Sequence, residues 1–169
     1  MKGVAFEQFM DGFFKGDFGQ YFTPRPIIEF AVKMMKPEHD WDVLDPACGS
    51  GGFLLHALDY MRSQASEYYD KDTVDYFNYW HDFASKHLYG IEINDEIARV
   101  AKMNMIVHDD GHTNAISFDA LDSIDKMHDH NRGFEAGKFD LILTNPPFGS
   151  TITKAEKPYL ANYELGKTK

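Results

Sequence analysis

Apolar positions recur along the chain with two spacings, and their alternation sets the expected architecture. Phe6, Phe9, Met10, Phe13 and Phe14 fall at i, i+3, i+4, i+7 and i+8, which predicts an amphipathic helix over 4–15, broken by Gly16 and Gly19. Thr23 and Pro24 read as an N-cap and a first-turn proline, opening a helix that carries Ile27, Ile28, Ala31 and Met35 and stops at Pro37. Val43 and Leu44 form a short strand that ends at Asp45 and Pro46. A glycine turn follows, then a helix with Leu54, Leu58, Met61 and Ala65 on one face. Residues 70–86 predict another helix, with Phe77, Trp80 and Ala84 in register. The surrounding aromatics (Tyr68, Tyr69, Tyr76, Tyr79, Phe83) read at this spacing as a face packed on a sheet rather than a base-stacking surface. Residues 88–93 (LYGIEI) predict a strand. Asn94 caps a helix carrying Ile97, Val100, Ala101 and Met105 that runs to Gly111. Residues 115–118 predict a short strand closing at Asp119, and 125–137 a polar loop. Residues 139–144 (FDLILT) predict a continuous apolar strand of the kind covered on both faces, and 149–169 a loop or poorly ordered tail.

Strands alternating with helices imply an α/β fold on a parallel sheet, with four strands legible. The length of 169 residues suits one domain or a piece of one. Leu, Ile, Val and Phe make up about 24% of the chain, above the ~20% below which a chain stays disordered. No apolar run approaches the roughly 18 residues that span a bilayer. The acidic, glycine-interrupted N-terminus lacks a signal-peptide core, so a soluble cytoplasmic protein without a membrane partner is the expectation. The single cysteine, Cys48, excludes an internal disulfide and any multi-cysteine zinc site. Charge changes the picture more. Seventeen Lys and Arg against 27 Asp and Glu give −10, and the excess acid lies between residues 37 and 148. Such a surface repels phosphate backbones, so any action on nucleic acid needs another source of grip.

In a parallel sheet the ligand sits at the carboxyl ends of the strands. Each of the four strands ends in a chemically pointed group. After the first come Asp45-Pro46-Ala47-Cys48-Gly49-Ser50-Gly51-Gly52, where glycines allow close approach of a ligand. The turn lacks the Gly-Lys-Ser/Thr of a phosphate loop and the third glycine of a dinucleotide fingerprint, which favours a nucleoside without pyrophosphate. Glu92 ends the second strand, where a carboxylate can accept both ribose hydroxyls, or simply be solvated. Asp119 ends the third, suited to an exocyclic amino group or to capping before Leu121. Asn145-Pro146-Pro147-Phe148 ends the fourth. Two prolines fix the backbone, so the Asn145 oxygen and the Pro146 carbonyl can both face one NH₂ group, with the Phe148 ring beside a planar partner. The histidines at 108, 112, 128 and 130 lie in polar stretches and do not suggest a metal centre.

Asn-Pro-Pro-Phe after a buried strand, with Asp-Pro-Ala-Cys-Gly-Ser-Gly upstream, resembles the S-adenosylmethionine-dependent amino methyltransferases. Because Gln20-Tyr21-Phe22-Thr23-Pro24-Arg25 precedes the glycine turn, the order resembles the gamma-class N6-adenine DNA methyltransferases. It is similar in particular to the modification (M) subunit of type I restriction-modification systems, over about residues 4–149. The resemblance implies a Rossmann-like methyltransferase fold, incomplete here, since that family's sheet has seven strands. It divides the chain into N-terminal helices with the cofactor segment (1–36), the first half of a catalytic core (37–149) and a tail (150–169). It implies that Gln20, Tyr21, Phe22, Thr23, Pro24 and Arg25 line the methionine side of S-adenosyl-L-methionine, with Thr23 at its carboxylate. Asp45 would lie beside the amino group, with Gly49, Ser50 and Gly51 around the cofactor. Glu92 would hold the ribose, and Ile93 and Asp119 the adenine. Asn145, Pro146, Pro147 and Phe148 would grip a target adenine flipped from double-stranded DNA. A specificity subunit would supply DNA contacts and a restriction subunit would complete the complex. Methylation of a protein glutamine or a ribosomal RNA guanine, or an inactive remnant, remain the competing readings. A nucleotide-dependent oxidoreductase is disfavoured by the missing glycine.

Overall fold

The computed structural model describes residues 23–108, 114–148, 160–164 and 166. The expected helix at 4–15, Gln20, Tyr21, Phe22, Gly111 and most of the 149–169 tail lie outside them. Among the described residues the order is α1 (Arg25–Met35), β1 (Val43–Asp45), α2 (Gly52–Tyr68), α3 (Val74–His87), β2 (Leu88–Glu92), α4 (Asp95–Val107), β3 (Ala115–Ser117), α5 (Ile124–His130) and β4 (Leu141–Ile142). The strands form one sheet in the order β3-β2-β1-β4, every pair parallel. All four carboxyl ends therefore share one rim. The chain reverses its direction of travel across the sheet at β1, which is where open α/β sheets bind ligands.

The period of two along each strand separates two cores. Val43, Leu88, Leu141 and Leu143 face a large cluster with Ile28 and Val32 of α1, Leu54, Leu58 and Met61 of α2, Trp80 and Phe83 of α3, and Ala101 and Met105 of α4. Leu44, Tyr89, Ile91 and Ile116 face a smaller cluster closed by Met127 of α5 and Phe134. A cavity of about 470 Å³ opens on this second face, lined in part by Leu44, Ile91, Phe134, Phe139 and Tyr163.

Three expectations need correction. Pro24, not Thr23, occupies the N-cap of α1, and no side chain caps that helix. Its buried residues are Ile28 and Val32, whereas Ile27 and Met35 are exposed. The stretch expected to be a loop from 125 contains α5, because Ser123 accepts the Lys126 N–H as an N-cap and Met127 anchors the helix on the sheet. β4 is not covered on both faces: Ile142 is 57% exposed, since it sits at the sheet edge on the thinly covered side. The aromatic helix is as expected, with Trp80, Phe83 and Ala84 buried. Arg62 stacks over the Trp80 ring at 4.2 Å.

Gly90 is where the sheet meets the turn most closely. A β-carbon there would lie 2.7 Å from Leu54 Cδ1 and 3.2 Å from Cys48 Sγ. Gly90→Ala is expected to lower stability by about 1–3 kcal/mol through overpacking. Urea denaturation checks this, and an unchanged midpoint would contradict it.

Candidate active site

The turn after β1 is built by its own backbone. Asp45 Oδ1 accepts the Ala47 N–H at 3.1 Å, the Gly51 N–H donates to the Cys48 carbonyl at 2.8 Å, and the Cys48 N–H donates to Ile91 of β2 at 2.9 Å. Gly49 and Gly51 adopt φ of +54° and +90°, which L side chains rarely take. Gly51 is the N-cap of α2. Among the described residues, a β-carbon at Gly49 would meet nothing within 4 Å, so these leave the space over the turn to a ligand.

Glu92 holds this turn from the neighbouring strand. Its Oε2 accepts the Gly49 N–H at 3.1 Å and its Oε1 the Asn94 N–H at 2.9 Å. At 6% exposure it is no solvated strand-end acid. Each oxygen retains a second lone pair for a hydroxyl donor. Ile93, next in the chain, is 64% exposed at the same rim. The Phe118 N–H donates to the Glu92 carbonyl at 3.1 Å, which brings the β3 end alongside. Asp119 follows and uses Oδ1 on the Leu121 N–H at 2.9 Å. That is a local turn, since Ser123 rather than Asp119 caps the next helix.

β4 enters from the other side of β1. The Leu143 N–H donates to the Leu44 carbonyl at 3.0 Å, so Thr144 and Asn145 emerge next to Asp45. Asp45 is 2% exposed. Burial is the main force on its carboxyl and raises its pKa to about 7. Thr144 and the Ala47 N–H pull it down, and the Glu92 charge pushes it up. Thr144 Oγ1 is buried without a hydrogen bond of good geometry, although it stands close enough to Asp45 to favour the anion. Asn145 Nδ2 donates to Thr23 Oγ1 at 3.0 Å, across 122 positions of sequence. Pro146 and Pro147 are exposed, and Phe148 is 88% exposed, its ring open to a planar partner. The cavity on the second face touches the rim at Pro46 and Ala120, but Gly49, Glu92 and Asn145 do not line it.

Thr23, Pro24, Asp45, Gly49, Ser50, Gly51, Glu92, Ile93, Asp119 and the 145–148 segment thus lie on the strand-end rim or the chain segment bonded to it. Arg25 begins α1 beside them. Two positions escaped the sequence reading. Asn104 of α4 is 2% exposed and donates from Nδ2 to the Ser50 carbonyl at 3.0 Å. Its signal was a polar residue beside Met105 on the apolar face of α4. Thr144 gave no signal beyond ending an apolar strand. Burial pushes the Cys48 thiol well up, so the turn holds a neutral thiol rather than a nucleophilic thiolate.

Comparison with known proteins places the chain in a family. The N-6 DNA Methylase family matches residues 1–166. The type I restriction enzyme StySPI methylase subunit of Salmonella potsdam is 36% identical over 141 residues, covering 80% of this chain and 24% of that protein. A crystal structure of a modification subunit of a putative type I restriction enzyme from Vibrio vulnificus superposes with TM-score 0.70 at 29% identity, over 93% of this chain and 30% of the other. The EcoKI M protein structure gives TM-score 0.60 at 32% identity, over 82% of this chain and 27% of the other. The chain spans about a quarter of the length of the curated relatives it matches. The family match spans nearly the whole chain, and the chain belongs to the N-6 DNA methylase family.

Proposed function

We propose that this chain forms the cofactor- and target-base-binding part of a DNA adenine-N6 methyltransferase of the type I modification-subunit kind. One observation carries the reading. Asn145-Pro146-Pro147-Phe148 leaves β4 at the same rim as the Gly49–Gly51 turn, with Thr144 against Asp45 and Asn145 bonded to Thr23. The open space over Gly49 and the lone pairs left on Glu92 suit S-adenosylmethionine. When bound, S-adenosylmethionine supplies a methyl group on a sulfonium sulfur, which keeps the bonding electron pair when N6 takes the methyl.

The residues do the rest. Asn145 Oδ1 and the Pro146 carbonyl each accept one N6 hydrogen of an extruded adenine. Two acceptors on one nitrogen draw its electron pair out of the ring system and aim it at the methyl carbon. The surplus N6 proton is held at these oxygens and passes to water. Phe148 covers a face of the base, worth roughly 1–3 kcal/mol by stacking. Asp45 would hold the amino group of the cofactor, Glu92 its ribose hydroxyls, and Ile93 and Asp119 its adenine. The neutral Cys48 fits direct transfer without a covalent enzyme intermediate.

The acidic balance of the chain suits a protein that reaches double-stranded DNA through a specificity subunit, with a restriction subunit in the full assembly and a cytoplasmic location. Among the described residues no helix is long and apolar enough to cross a membrane. Tritiated S-adenosylmethionine offered with plasmid DNA, ribosomal RNA and release factor tests the substrate class. Label at adenine N6 of DNA is expected, and label in RNA or protein instead would overturn the reading.

Glu92→Gln supplies a second check. The amide NH₂ must face either the Gly49 or the Asn94 N–H, donor against donor. Cofactor affinity is expected to fall by roughly 10–100-fold, read by calorimetric titration. An unchanged affinity would remove Glu92 from the cofactor site.

A further inference from the structure

Thr23 was expected to cap α1, yet Pro24 holds that position and the Thr23 hydroxyl accepts from Asn145 Nδ2 instead. A carboxamide has one accepting end and one donating end, exchanged by a half-turn of the group. Only one of the two orientations presents an acceptor to a purine amino group. Asn145 is exposed, so packing alone does not choose between them. Thr23 is half-buried at the start of a helix whose Ile28 and Val32 are anchored in the core. It is the fixed partner of the pair.

We propose that Thr23 is a positioning residue for the target base: its hydroxyl takes the donor end of the Asn145 amide and so turns Oδ1 toward the purine amino group. A hydroxyl can also donate, and by donating to Oδ1 it would favour the wrong orientation. The arrangement therefore works best when the Thr23 proton is engaged elsewhere. An anionic carboxylate beside the hydroxyl, such as that of the cofactor's methionine moiety, would engage it. Occupancy of the cofactor site would then lock the acceptor for the base. This inference rests on the proposed function and adds to it a coupling between the two halves of the site.

The test is a binding ratio that needs no turnover. The methylated site is mapped first by sequencing modified adenines. The assembled methyltransferase, with S-adenosylhomocysteine present, is then titrated with duplexes carrying either adenine or 6-unsubstituted purine at the target position. The ratio of the two dissociation constants isolates recognition of the amino group, because differences in base pairing are the same for every variant. Asn145→Ala should shift the ratio roughly tenfold against adenine, the size of one hydrogen bond. Thr23→Val should shift it nearly as far, and Thr23→Ser should retain the wild-type ratio. In wild type the preference for adenine should weaken when S-adenosylhomocysteine is left out. A wild-type ratio in Thr23→Val would overturn the inference while leaving the proposed function intact. A wild-type ratio in Asn145→Ala would remove the proposed function itself.

Discussion

Asn145→Ala will lower the methylation rate of the assembled enzyme by about 10²–10³-fold while changing cofactor affinity by less than about threefold. The expectation follows from the position of the side chain. Asn145 is exposed on the rim, beyond the end of β4, and its side-chain amide bonds to Thr23 rather than to the sheet. Removing it does not touch either core, so the fold should survive. On the proposed function, what disappears is an acceptor on the reacting nitrogen, an interaction needed most as the amino group leaves conjugation. Loss of one such aligned hydrogen-bonding group has an effect of this order on the chemical step. Single-turnover kinetics with DNA in excess separates that step from binding. An equal loss in cofactor binding would mean that Asn145 organises the cofactor pocket and not the base.

Asp45→Asn will stabilise the fold above neutral pH and at the same time damage cofactor binding. Burial raises the Asp45 pKa from 3.8 to about 7. Below pH 3.8 both folded and unfolded chains carry the proton. As pH rises from 3.8 to 7 the unfolded chain releases it while the folded chain keeps it, so the fold loses stability through that window. Above about 7 the loss is complete, and it amounts to at most roughly 4 kcal/mol. An asparagine keeps the acceptor for the Ala47 N–H and carries no charge to desolvate. Its melting temperature should therefore exceed that of wild type at pH 8 and approach it near pH 4.

On the proposed function, the same buried acid would link cofactor binding to pH. The charge that bears on Asp45 is that of Glu92 of β2, which opposes its ionisation; the neighbouring Cys48 is held neutral. An ammonium placed beside Asp45 favours the anion, so binding releases a proton from an Asp45 that is protonated below about pH 7. Affinity should rise with pH up to about 7, by up to tenfold for each pH step of one, and then level off. In Asp45→Asn the slope should vanish and affinity at pH 8 should fall by roughly 10–100-fold, the loss of a charge-assisted hydrogen bond. Calorimetry at pH 6, 7 and 8 reads both effects. A wild-type affinity flat in pH would take Asp45 away from the cofactor's cationic end.

How much of this was legible in the sequence depended on the range of the forces involved. The helices with strong periodicity, such as Leu54, Leu58, Met61 and Ala65, were readable because burial repeats every turn. The strand ends were readable because a parallel sheet sends every carboxyl end to one rim, so Asp45, Glu92, Asp119 and Asn145 needed no distances to be grouped. α5 was missed because Met127 is its only buried residue, too little to make a period. Thr23 was misread because Thr-Pro is a local capping signal, while its actual partner lies 122 positions away. Asn104 and Thr144 were invisible for the same reason: each acts through one contact made by tertiary packing. Glu92 is ambiguous in the sequence between solvated acid and ribose ligand; its burial and its two backbone donors exclude the first, and the ribose role belongs to the proposed function.

The most direct measurement is a crystal structure of the protein with S-adenosylhomocysteine bound. The ligand is expected across the carboxyl ends of β1 and β2, with its amino group at Asp45, its ribose hydroxyls on Glu92, its adenine by Ile93 and Asp119, and its sulfur facing Asn145 and Phe148. A ligand seated in the cavity on the second sheet face, or with its sulfur turned away from residues 145–148, would contradict it.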